Sequence, residues 1–208
     1  MVQLIAAQDV SLHNLRTKFN LQYTEDNLFF REWQDNLLEV SESEKQALER
    51  IKTNYLNLIE YPPMLENAVK MVVLSPLLDL AGFYQRPLRI STEKQVEIVS
   101  DDEETIVKGK IDVLVLQEQL WILVIEAKKA QFSLEPGIPQ ALAYMLDNPN
   151  PEKSIFGLVT NGSNFIFSKL KKQEPPLYAL SDEFTLRRNN DLHIVLSILK
   201  QLGTLVSV

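Results

Sequence analysis

Two runs of branched apolar residues at the centre of the chain constrain its fold more than any other feature. Residues 106–116 and 120–128 are rich in Val, Ile and Leu, and only the polar triplet Gln117-Glu118-Gln119 separates them. Such runs joined by a short polar break read as two strands of a hairpin. The flanking sequence has a different period. Before residue 82 the apolar positions recur at helical spacing; after it they follow strands and one intervening helix. That succession predicts an α/β (α+β) architecture, a mixed β-sheet flanked by helices and preceded by a helical arm.

Leu28, Phe29, Trp33, Leu37 and Leu38 predict a helix over residues 25–39. Ser43 with Gln46 three residues later looks like the start of a second helix, which carries Leu48, Ile51, Tyr55 and Leu58 on one face and stops at Pro62-Pro63. A third runs from residue 64 to 81, bearing Leu65, Val69, Val72 and Val73, with Pro76 expected to kink or interrupt it and Gly82 to end it. Residues 88–99 read as a strand and the acidic run 101–104 as a loop. A helix is expected over 138–146, a hairpin over 155–160 and 164–170 turning at Asn161-Gly162, a short strand at 178–180, and a last helix over 191–202. The division is therefore an N-terminal helical arm, residues 1–62, and a core domain, residues 63–208.

Composition narrows the chemistry. Of 208 residues 45% are hydrophobic and 24% charged, enough for one core of ordinary size. Cys is absent, which excludes disulfides, thiolate zinc sites and a cysteine nucleophile, and two His leave little for His-based catalysis. No apolar run is long enough to span a bilayer and residues 1–20 do not read as a signal peptide, so the expectation is a cytoplasmic protein with no membrane partner. The chemistry is left to carboxylates, Lys and Tyr.

The hairpin gathers them. Glu126 and Lys128 lie two apart, hence on one strand face, and a turn centred on residue 119 sets Asp112 opposite Glu126. Two carboxylates among apolar strand residues call for a neutralising cation, and Mg²⁺ is suited to such a pair. Glu126-Ala127-Lys128 is the only acidic-x-Lys triplet in the chain. The blander alternative is that Glu126 and Lys128 form the solvated face of an emerging strand end.

Gly109-Lys110-Ile111-Asp112 followed by Val124-Ile125-Glu126-Ala127-Lys128 resembles the PD-(D/E)xK nuclease core of restriction endonucleases and RecB-type nucleases. Gln140-Ala141-Leu142-Ala143-Tyr144 is similar to the QxxxY motif of the RecB-type branch, which includes the N-terminal nuclease domains of type I restriction enzyme R subunits. Leu65-Glu66 through Leu80-Ala81-Gly82-Phe83-Tyr84 and Val159-Thr160-Asn161-Gly162 are similar to further segments of those domains, so the likeness covers residues 64–170. Gly109-Lys110-Ile111 stands where the eponymous Pro would be.

The resemblance implies a restriction-endonuclease-like fold and a Mg²⁺-dependent DNA nuclease, an endonuclease by expectation, with Mn²⁺ as a substitute ion. Asp112, Glu126 and the Ala127 carbonyl would bind metal, Glu66 would hold a metal-bound water, Lys128 would orient the attacking water, and Gln140 and Tyr144 would position Lys128 or the phosphate. Glu66 equally suits a helix N-terminus, Gln140 a helix surface and Tyr144 a core aromatic. DNA, a separate motor or specificity subunit and a second copy of the chain are the expected partners. The alternative function is a nuclease-fold module of little or no catalysis that binds DNA or a restriction or repair partner. A formal charge of −7 argues against DNA only superficially: residues 1–104 carry 18 acidic and 10 basic side chains, residues 105–208 carry 10 and 11.

Overall fold

The computed structural model describes residues 2–100 and 104–205. Eight strands form one mixed sheet in the order β1 (Gln3–Ala6), β4 (Thr105–Gln117), β5 (Leu120–Ala127), β6 (Ile155–Thr160), β7 (Asn164–Lys171), β8 (Leu177–Thr185) and β2 (Gln22–Tyr23), with β3 (Leu88–Val99) paired to β4 off this path. Neighbours are antiparallel except β1–β4, β5–β6 and β8–β2. The parallel step from β5 to β6 requires a crossover, which is helix α5 (Gly137–Leu146).

Two hydrophobic cores lie on the two faces. One joins the sheet to α2 (Glu42–Ile59), α3 (Glu66–Val69), α4 (Ser75–Leu80) and α6 (Asp191–Thr204), through residues such as Tyr55, Val69, Leu77 and Leu199. The other joins it to α5 and to the N-terminal helix α1 (Leu12–Lys18), through Leu15, Leu142 and Tyr144. Among the described residues no helix is long and apolar enough to cross a membrane.

The expected helix over 25–39 does not form. Side chains there bond their own backbone, with Asp26 N–H donating to Thr24 Oγ1 and Leu28 N–H to Asp26 Oδ1, and Asn36 takes φ +53°. The apolar residues are used one by one: Phe30 meets Phe156 and Trp33 meets Phe184, both at 6.0 Å between ring centres. Lys169 on β7 fixes the segment by pairing with Glu32 at 2.5 Å. Tertiary aromatic contacts thus outweigh a weak local periodicity.

Residues 1–62 also hold elements other than helices. β1 extends the sheet beside the N-terminal part of β4, and β2 adds to its far edge beside β8. Helix α2 is capped two residues before the expected position: Ser41 Oγ accepts from Glu44 N–H and Glu44 Oε2 accepts from Ser41 N–H, a complete capping box. The interruption expected at Pro76 takes the form of a five-residue π-helical turn, Lys70–Leu74, directly ahead of the proline. Gly82 ends this helix at φ +82°. The last strand of the meander is longer than its expected three residues, running Leu177–Thr185. Of the acidic run at 101–104, all but Glu104 lies outside the described residues.

Candidate active site

The central hairpin closes on a two-residue turn, Glu118-Gln119, between the paired residues Gln117 and Leu120, one residue shorter than expected. Glu118 adopts φ +54° to make it. A bulge between Val115 and Leu116 then shifts the register by one, and Val115↔Leu123 and Val113↔Ile125 pair as a turn centred on residue 119 would require. Asp112 consequently comes level with Glu126, at the point where the ladder between β4 and β5 ends.

The β3–β4 ribbon turns over at the same place. Val113 and Val115 pack with the α2–α4–α6 core, whereas Val107 and Ile111, of the same parity, pack with α5. Opposite Asp112 in the register, Glu93 takes φ +56°. Asp112 therefore sits at a twist between the two layers. Its Oδ2 accepts the Ala127 N–H at 2.8 Å, and its Oδ1 pairs with the ammonium of Lys70, in the π-helical turn.

Glu126 is 4% exposed. Its Oε1 accepts from Lys128 Nζ at 3.0 Å, while Oε2 is buried and has no hydrogen-bond partner among the described residues. Burial raises its pKa to about 7, the Asp112 charge adds to the rise, and Lys128 partly offsets it. Lys128 is held from its other side: Nζ donates to Gln140 Oε1 at 2.6 Å, and Gln140 Nε2 donates to the Tyr144 hydroxyl at 2.8 Å. The Tyr144 oxygen also accepts the Lys110 N–H at 3.3 Å, so one network links α5, β4 and β5. Burial foremost pushes the Tyr144 phenol up to about 12, keeping it protonated.

Two glycines make room for this network. A Cβ on Gly109 would lie 2.5 Å from the Ala7 Cβ and 2.7 Å from Tyr144 Cε1. One on Gly137 would lie 2.5 Å from Val159 Cγ1 and 3.1 Å from Lys128 Cε, where the lysine stem passes the start of α5. Both sites are closed to larger residues by direct contact.

Asp112, Glu126, Lys128, Gln140 and Tyr144 are thus brought together, and Ala127 joins them through its N–H. Glu66 stands in the first turn of α3, half-buried, and is the last and smallest contributor to the raised Glu126 pKa. Among the described residues no three His, Cys, Asp or Glu side chains cluster closely enough to hold a metal. Lys70 is what the sequence reading missed. Its position four residues after Glu66, hence on the same helix face, was the available signal.

Fold and site define an α/β protein with a largely buried centre of two carboxylates and two lysines at the end of a split hairpin. The chain belongs to the family described as type I restriction enzyme R protein N terminus, whose model matches residues 8–176 and so spans every residue of that centre. A solved fragment described as an HsdR subunit of a type I restriction enzyme from Vibrio vulnificus YJ016 is similar at 20% identity and a TM-score of 0.40, covering 59% of this chain and 24% of that one. This chain therefore spans about a quarter of that protein's length. No curated protein matches the chain.

Proposed function

We propose that the chain is a metal-dependent DNA nuclease module that hydrolyses phosphodiester bonds, acting as an endonuclease. The observation that carries this reading is the buried, unpartnered Glu126 Oε2 beside a second carboxylate. An orphaned carboxylate oxygen in a buried site costs free energy unless a cation takes it up. Asp112 and Glu126 supply hard oxygen donors of the kind Mg²⁺ or Mn²⁺ accepts. When bound there, such an ion would supply Lewis acidity and a readily ionised water.

The chain's own residues do the rest. Lys128, fixed between Glu126 and Gln140, holds positive charge where negative charge would build on a phosphate. Gln140 can accept from Lys128 only with its amide nitrogen turned to Tyr144, so Tyr144 sets the amide orientation that holds the ammonium. Membership of the R-protein family supports DNA as substrate and restriction subunits, including a motor or specificity subunit, as partners. Ala127 as a metal ligand through its carbonyl, Glu66 as holder of a metal-bound water and a homodimeric state belong to the same proposal.

Incubating the purified chain with DNA in Mg²⁺ tests it. Cleavage should be abolished by EDTA, by Asp112→Ala and by Glu126→Ala; cleavage retained in both variants refutes the assignment. The Lys70–Asp112 ion pair favours a second reading, a DNA- or partner-binding module with little catalysis, because Asp112 already has its countercharge. Calorimetry showing no Mg²⁺ or Mn²⁺ binding by the intact chain would select that reading.

A further inference from the structure

A cavity of about 530 Å³ opens directly beside Asp112 and Lys70, between the π-helical turn and strand β3. Its lining is divided by chemistry. Leu74, Leu78 and Val113 are buried and give an apolar floor. Thr92 and Glu93 offer polar atoms on the β3 side. Met71 and Tyr84 form the rim and are 74% and 46% exposed, two large apolar side chains facing water. The Tyr84 ring is nevertheless fixed, because its hydroxyl is 2.8 Å from Ser75 Oγ.

We propose that this cavity is a subsite for one unpaired nucleobase, next to the phosphate engaged at Asp112, so that the module acts on single-stranded or locally opened DNA. The inference rests on the nuclease reading, which places a phosphodiester at the cavity mouth. A base within a duplex is stacked on both faces and cannot enter a concave pocket; an unpaired one gives up little by doing so. A held tyrosine ring and a polarizable methionine suit any base, since each base presents a π-face. Pre-fixing the ring lowers the entropy lost on binding. The cavity and its exposed rim lie on one side of the candidate centre, so the base on that side of the phosphate is the one recognised.

Fluorescence anisotropy of end-labelled oligothymidylate and of a blunt duplex of equal length, with Ca²⁺ replacing Mg²⁺ and the full chain, tests this. Tyr84→Ala and Met71→Ala should each weaken single-strand binding at least about fivefold. Tyr84→Phe, which keeps the ring and loses only its tether to Ser75, should weaken it less than Tyr84→Ala does, and duplex binding should be unchanged in all three. An adenine-analogue fluorophore placed in the single strand should be quenched by the wild type and not by Tyr84→Ala. Both residues are exposed, so folding should survive; circular dichroism checks that. Unchanged single-strand affinity in the folded variants, or equal losses on both DNAs, overturns the subsite. If the wild type still cleaves DNA in that case, the nuclease reading stands and only the subsite falls; a wild type that binds neither DNA removes both.

Discussion

Glu126 titrates where few glutamates do, and its substitution gives a quantitative test of the site's electrostatics. The group is buried at the end of β5, with one oxygen on Lys128 and the other unpartnered. Burial first, and the Asp112 charge second, raise its pKa from 4.5 to about 7. Between those values the native state holds a proton that the unfolded chain has released, so native stability falls as pH rises through the window. The penalty is absent below the unfolded pKa and complete above the folded one. Two and a half pH units at 1.36 kcal/mol each come to about 3 kcal/mol. With the side chain only 5% exposed, solvent screening removes little of it.

Glu126→Gln keeps the shape and an oxygen for Lys128 and abolishes the titration. Urea unfolding followed by circular dichroism, from about pH 4.5 to about pH 8.5, should show the wild type losing about 3 kcal/mol relative to the glutamine variant. In thermal melts the gap should reach roughly 6–12 °C for a chain of this size. Because the ionised carboxylate is the form a cation would take up, saturating Mg²⁺ should stabilise the wild type more above pH 7 than below it. Parallel stability curves for the two proteins across the window would refute the reasoning.

Gly109→Ala should destabilise the chain by about 1–3 kcal/mol in urea melts, since its Cβ would meet Ala7 and Tyr144 inside contact distance. Lys70→Met should raise Mn²⁺ affinity at least about tenfold by calorimetry, because it frees Asp112 Oδ1 from a fixed countercharge; unchanged affinity would show that ammonium and metal do not compete. Ser41→Ala should cost about 1 kcal/mol while Ser43→Ala costs much less, because Ser41 caps the backbone of α2.

The legibility of this fold in its sequence follows the range of the interactions involved. The hairpin, α5 and the β6–β7 turn at Asn161-Gly162 depend on local periodicity and turn chemistry, and they lie where those signals place them. The register of the site was legible by a route the sequence did not disclose. The turn is one residue shorter than the spacing suggested, and the bulge at Val115/Leu116 restores Asp112 to Glu126. β1 and β2 were not legible because they are four and two residues long, and their strand character comes from parallel partners about a hundred or more positions away. The segment around Phe30 and Trp33 shows the converse: its spacing is helical, but its energetics lie in separate aromatic contacts with the sheet.

Lys70 shows how the remaining gap can be narrowed. A buried pair of carboxylates states its own requirement for positive charge, and Lys128 meets it only on the Glu126 side. The helix that delivers Glu66 also delivers a lysine one turn later, and the 3.6-residue period sets both on one face. Beyond residue 70 that period fails, because the π-helical turn rotates every later residue relative to an ideal helix. This is why Val73 and Leu74 are both buried where a regular stripe would pair Val72 with Val73. The proline that forces the irregularity therefore also turns the apolar side of α4 inward, while Lys70, at the start of the turn, stays aimed at Asp112. The countercharge of a buried carboxylate pair can come from any element that flanks it, and in this chain one comes from the same helix that carries Glu66.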